Sequence, residues 1–225
     1  LGGAALGLAG ALLQRTLRNP AADASTLGVG AGAQLALGAA TLFAPTLIAE
    51  ARSVVAFIGG GSALLLVLVL ARNRNYDPVT MILCGLVVSL VCGALSATLI
   101  LAGGDYMLSL YLWGGGALAQ TGWRNDAVLI GLLVAAGLAA FLLRRPLALL
   151  GLSDETAKSL GVSTAAIRLA AVLVATILAT TVTAFAGIIG FVGLMAANLA
   201  RLSGARTPGT LLLAAPLVGA VLLFA

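Results

Sequence analysis

This chain contains no histidine, only two cysteines, and few charges: 12 basic and 7 acidic residues among 225. Each scarcity excludes something. Without histidine, imidazole cannot serve as a metal ligand, a haem ligand or a general base. Cys84 and Cys92 lie in one apolar run and read as small packing residues on a helix face, silent about redox compartment. A soluble domain of ordinary composition carries about 25% charged residues; here the fraction is 8%, with a mean hydropathy of +1.16.

The few charges are also unevenly placed. None occurs between Asp23 and Glu50, Asp77 and Asp105, Asp126 and Arg144, or Arg168 and Arg201. About 20 apolar residues in a helix cross the ~30 Å of hydrocarbon in a bilayer, and a charge at its centre costs about 2.5–3.5 kcal/mol. The sequence therefore predicts an all-α polytopic membrane bundle. The 29 glycines sit mostly inside the apolar runs, as expected where small residues let helix backbones approach in lipid. The net charge of +5 is dispersed in ones and twos without interleaved aromatics, so nucleic acid is not an expected partner.

Along the chain, apolar runs cover Leu1 to Leu13, Thr26 to Ile48, Val54 to Ala71, Pro78 to Leu101 and Ala127 to Leu143. The long run after Arg168 divides at Gly187, Gly190 and Gly193 into a span over Leu169 to Phe185, a bend, and a short helix ending near Arg201. A last helix follows Pro208. Residues 103–123, with Tyr106, Tyr111, Trp113 and Trp123, read as an interfacial helix and turn. Alternating these runs across the bilayer puts Arg15, Arg18, Arg72, Arg74, Arg144, Arg145, Lys158, Arg168, Arg201 and Arg206 on one side. Only Arg52 and Arg124 fall on the other, so the first side is cytoplasmic.

Several motifs carry a bland and a sharper reading. Leu27-Gly28-Val29-Gly30-Ala31-Gly32-Ala33 lacks the dinucleotide spacing and a preceding strand; Gly28 and Gly32 read as helix-packing positions. No Walker A sequence occurs, so ATP hydrolysis is not expected of this chain. Gln14, Asn19 and the Pro20 turn are either interfacial residues or a polar constriction where a pathway meets the cytoplasm. Leu152 to Gly161 reads as a capped helix: Ser153 at the N-cap, Asp154 and Glu155 in the first turn, Gly161 as a left-handed stop. It is either a solvated loop or a docking surface for a soluble partner, with Ala157 small enough for close approach.

Gly3-Ala4-Ala5-Leu6, Gln14, Arg18-Asn19-Pro20-Ala21-Ala22-Asp23 and Leu27-Gly28-Val29 together resemble the opening motif of FecCD-type ABC permeases. Leu152, Ser153, Asp154, Glu155, Ala157, Lys158, Leu160 and Gly161 resemble that family's loop coupling to the ATPase. Ala186-Gly187-Ile188-Ile189-Gly190-Phe191-Val192-Gly193-Leu194 with Leu199-Ala200-Arg201 resembles its third signature. Ala197-Asn198 departs from it, standing where many members have Pro-His. The resemblance covers essentially all 225 residues.

It implies one permease domain with about eight of ten spans, in the bacterial inner membrane. It also implies a second permease copy or half, a cytoplasmic ABC ATPase dimer that uses ATP, and a periplasmic substrate-binding protein. No cofactor or metal would be bound by the chain itself. The implied cargo is a ferric siderophore, haem or cobalamin, with a hydroxamate siderophore suggested by Leu112-Trp113-Gly114-Gly115-Gly116. The rival class is an ion-coupled secondary transporter without an ATPase, which normally needs an intramembrane carboxylate; no acid falls mid-span by the assignment above.

Overall fold

The computed structural model describes residues 1–103, 123–150, 157 and 161–224, and among these the regular structure is entirely helical. The helices are α1 (Gly2–Thr16), a 3-10 turn (Ala24–Leu27), α2 (Val29–Phe43), α3 (Pro45–Ala71), α4 (Pro78–Gly103), α5 (Trp123–Leu149), α6 (Thr164–Ala186), α7 (Val192–Leu202) and α8 (Pro208–Phe224). The expected interfacial stretch lies almost wholly outside the described residues, as do Leu152, Ser153, Asp154, Glu155, Lys158 and Leu160.

α1 is the central helix. Every residue from Ala5 to Gln14 is buried, packed against α6, α7 and α8. Small residues make this possible. A side chain at Gly3 or Gly7 would collide with the carbonyls of Gly219 and Ala215 on α8, and one at Gly10 with that of Gly193 on α7. Gly3/Gly7 and Ala215/Gly219 thus form a crossing of two small-xxx-small stripes. α2 and α3 repeat the device, with Gly32 set against Gly59 and Ala63.

The large apolar side chains face outward instead. Leu65 and Val69 of α3, Leu86 and Leu90 of α4, Val134 and Leu138 of α5, and Leu213 and Leu217 of α8 are all exposed. That distribution suits hydrocarbon surroundings and would be a large exposed patch in water. Among the described residues, four segments are long and apolar enough to cross a membrane: 51–74, 78–103, 126–149 and 164–186.

Three boundaries differ from the sequence reading. The run expected to continue to Ile48 stops at Phe43, because Ala44 leaves the helical region (φ −148°, ψ 62°) and Pro45 begins α3. Proline disfavours the helical conformation of the residue before it and suits a first helical position, where a missing N–H costs nothing. α3 then bends at Ala51 (φ −133°, ψ 30°) before its apolar part. α5 runs through Arg144-Arg145-Pro146 to Leu149, with Pro146 tolerated within its final turn.

Candidate functional site

The polar residues of the opening motif meet at one end of the bundle. α1 ends at Thr16, Arg18 takes a left-handed conformation (φ 50°), and the chain turns back. The turn is held locally: the Asn19 N–H donates to the Gln14 carbonyl (3.2 Å), and the Ala21 N–H donates to Asn19 Oδ1 (2.9 Å). Its grip on the rest of the fold comes from side chains. Gln14, 2% exposed, donates from Nε2 to the Leu194 carbonyl of α7 (3.3 Å). Asn198 donates from Nδ2 to the Pro20 carbonyl (3.0 Å) while its Oδ1 accepts from Arg201 (2.9 Å). Arg18 Nε donates to the Leu150 carbonyl (2.7 Å), and Arg15 to the Arg206 carbonyl (3.4 Å).

Gln14, Arg15, Arg18, Asn19, Pro20, Leu147, Leu150 and Arg201 line a cavity of about 340 Å³. The expected gate residues Gln14, Asn19 and Pro20 are therefore brought together, beside three guanidinium groups. Arg15, Arg18, Arg201 and Arg206 gather at the same end, as the charge-derived topology requires.

Asp23 is where the sequence reading fell short. It is 5% exposed and sits beside the start of α7, with Oδ1 close to Gly193. Backbone N–H groups of Ala24 and Phe191 donate to its carboxylate, and Thr26 closes a capping box. Burial pushes its carboxyl above the ordinary value, and the two N–H bonds oppose that rise. Both contacts are structural caps, so this buried acid holds the 3-10 turn and the start of α7. The clue was its place before a short Ala-Ser-Thr-Leu turn, an N-cap position. Asn198, which stood out only as a departure from the family pattern, is the other missed member.

The glycines divide by role. Gly28 (φ 78°) links the 3-10 turn to α2, and Gly187 (φ 81°) ends α6; both need the left-handed region. Gly32 and Gly193 are close-packing positions, whereas a side chain at Gly190 would meet open space. Phe191, at φ 65°, makes the sharp entry into α7.

Of the expected coupling loop, Ala157 and Gly161 are described. Gly161 takes a left-handed conformation (φ 74°), and the Val162 N–H donates to the Ala157 carbonyl at 3.1 Å. Ala157 is fully buried within the chain. Among the described residues no three His, Cys, Asp or Glu side chains converge on a point that could hold a metal.

A model of the FecCD transport family matches residues 1–225. The chain belongs to the FecCD transport family. Among curated FecCD-like relatives, the iron(3+)-hydroxamate import system permease protein FhuB of Salmonella typhimurium is 42% identical over 223 residues. That alignment covers 99% of this chain and 32% of FhuB. The Fe(3+) dicitrate transport system permease protein FecC of Escherichia coli is 34% identical, covering 98% of this chain and 68% of FecC. The chain thus spans about a third of one relative and two thirds of the other. A solved structure described as an inward-facing metal-chelate type ABC transporter superposes with a TM-score of 0.86 at 27% identity, over 97% of this chain and 71% of that one. This FecCD chain is a multi-pass membrane protein of the bacterial inner membrane, with the all-α fold of an ABC importer permease.

Proposed function

We propose that this chain is the membrane-spanning part of an ATP-driven importer of a ferric siderophore, with a hydroxamate chelate as the first candidate. The observation that carries the reading is the 42% identity, along nearly the whole chain, to an iron(3+)-hydroxamate permease. ATP would be used by a separate cytoplasmic ATPase dimer, and a periplasmic binding protein would deliver the chelate. Two permease copies or halves would enclose the pathway between them.

The geometry supports a route for the mechanical step. The loop after α5, residues 152–161, is the proposed ATPase contact. Leu150 at its start is bonded to Arg18, and the Arg18–Pro20 turn is tied through Asn198 to α7. Displacement of that loop would pull the turn and α7 together, widening or closing the polar constriction at Gln14, Asn19 and Pro20. The rival secondary-transport reading has less support, because the buried acid Asp23 is committed to two backbone N–H groups.

The test uses the complete protein that contains this chain, expressed with its ATPase and binding protein in cells lacking their own ferric-hydroxamate permease. Uptake of radiolabelled iron as a hydroxamate chelate should be restored and should vanish with an ATPase unable to hydrolyse ATP. Uptake that survives ATPase inactivation but collapses with the proton gradient would establish the rival. Transport of only catecholate, citrate or haem iron would overturn the hydroxamate assignment alone.

A further inference from the structure

An open groove of about 530 Å³ runs between α5 and α8, floored by Leu8 of α1. Its walls are Leu133, Gly137, Ala140 and Phe141 on one side and Leu212, Leu213, Pro216 and Leu217 on the other. The apolar part ends at Arg144, whose guanidinium carbon lies 3.7 Å from the Phe141 ring centroid. Thr207 and Thr210 face the same end, and among the described residues no acidic side chain lines the groove. By the charge topology this end is cytoplasmic, with Arg145 beside it in sequence. Its chemistry is therefore a narrow slot for a hydrocarbon chain, closed by a cation at headgroup depth.

We propose that this groove is a binding site for one acidic phospholipid of the cytoplasmic leaflet, its acyl chain between α5 and α8 and its phosphate at Arg144. Charge complementarity selects this occupant. A basic pocket between membrane helices on the cytoplasmic side suits an anionic headgroup, and cation–π stacking on Phe141 holds the guanidinium at the groove mouth. Gly137 makes the acyl path testable, because a side chain there would meet open space and not a neighbouring helix.

The experiment is native mass spectrometry of the purified complete protein, exchanged into detergent with equal phosphatidylglycerol and phosphatidylcholine. The wild type should retain one phosphatidylglycerol in preference to phosphatidylcholine. Arg144→Gln should reduce that preference about fivefold, the effect of one basic residue facing an anionic headgroup. Gly137→Leu should lower occupancy of both lipids, and melting curves in lipid-free detergent would show that both variants remain folded. Equal retention by wild type and both variants would overturn the proposal. So would a photo-crosslinker at Leu217 that captures another protein segment in place of lipid.

Discussion

Asn198 on α7 donates its side-chain amide to the carbonyl of Pro20, 178 residues earlier in the chain, at 3.0 Å. The same side chain accepts from Arg201. One residue therefore fastens a turn at the end of the first helix to a helix near the end of the chain, and also fixes a cation at the cavity wall. Asn198→Ala should lower stability by about 0.5–1.5 kcal/mol, the usual net contribution of one hydrogen bond. Chemical denaturation of the purified complete protein, followed by circular dichroism, would measure it. Unchanged stability would mean the bond is solvent-equivalent.

Arg18 offers a test of force transfer separate from folding. Arg18→Gln loses the bond to Leu150. ATPase activity of the assembled transporter should persist while uptake falls by about tenfold, the consequence of losing roughly 1.4 kcal/mol from the coupled step. Parallel loss of both activities would point to failed assembly instead.

Close packing predicts a steep contrast between glycines. Gly7→Val places its Cβ against the Ala215 carbonyl, whereas Gly137→Ala meets open space. Overpacking a tight contact typically costs about 1–3 kcal/mol, so Gly7→Val should lower the yield of folded protein in membranes and Gly137→Ala should not. Detergent-resistant yield, measured by fluorescence-detected size exclusion, checks both.

Asp23 carries a pH signature. Its folded pKa is raised above 3.8, so the stability it contributes is fully present below that value and is lost as pH rises through the folded pKa. Asp23→Asn keeps an oxygen for the Ala24 and Phe191 N–H groups but cannot ionise. It should match or exceed the wild type at neutral pH, with the advantage shrinking as pH falls towards 4. Asp23→Ala should be less stable than Asp23→Asn by about 1 kcal/mol at every pH, through loss of the cap. Melting temperatures at several pH values would separate the three.

Orientation can be read by labelling. With Cys84 and Cys92 replaced, Arg74→Cys and Arg145→Cys should be shielded from a membrane-impermeant thiol reagent in intact spheroplasts, and Arg124→Cys should react. Labelling of Arg145→Cys from outside would invert the topology.

The long apolar helices were legible because charge avoidance in hydrocarbon is a strong constraint on every residue of a run. The separation of α6 from α7 was legible too, since glycines interrupt an uncharged run too long for one crossing. The end of α2 was missed, although Ala44-Pro45 marked it: hydropathy does not change across a break that lies among apolar residues. Asp23 and Asn198 were hidden for another reason. Each has one partner that is a backbone group remote in sequence, the Phe191 N–H for Asp23 and the Pro20 carbonyl for Asn198, and backbone donors and acceptors leave no trace in side-chain chemistry. Gln14, Asn19 and Pro20 line one cavity because one short turn holds them all.

The burial of α1 bears on how the chain is made. It enters the bilayer first among the described helices, yet its glycine face fits against α8, whose Ala215 and Gly219 are synthesised some two hundred residues later. Until then, α1 must wait at the translocation machinery or in lipid with that face uncovered, and the intervening helices must leave the centre open. Assembly around α1 therefore waits for α8: a nascent chain halted before Pro208 would hold α1 in the membrane but not in its place.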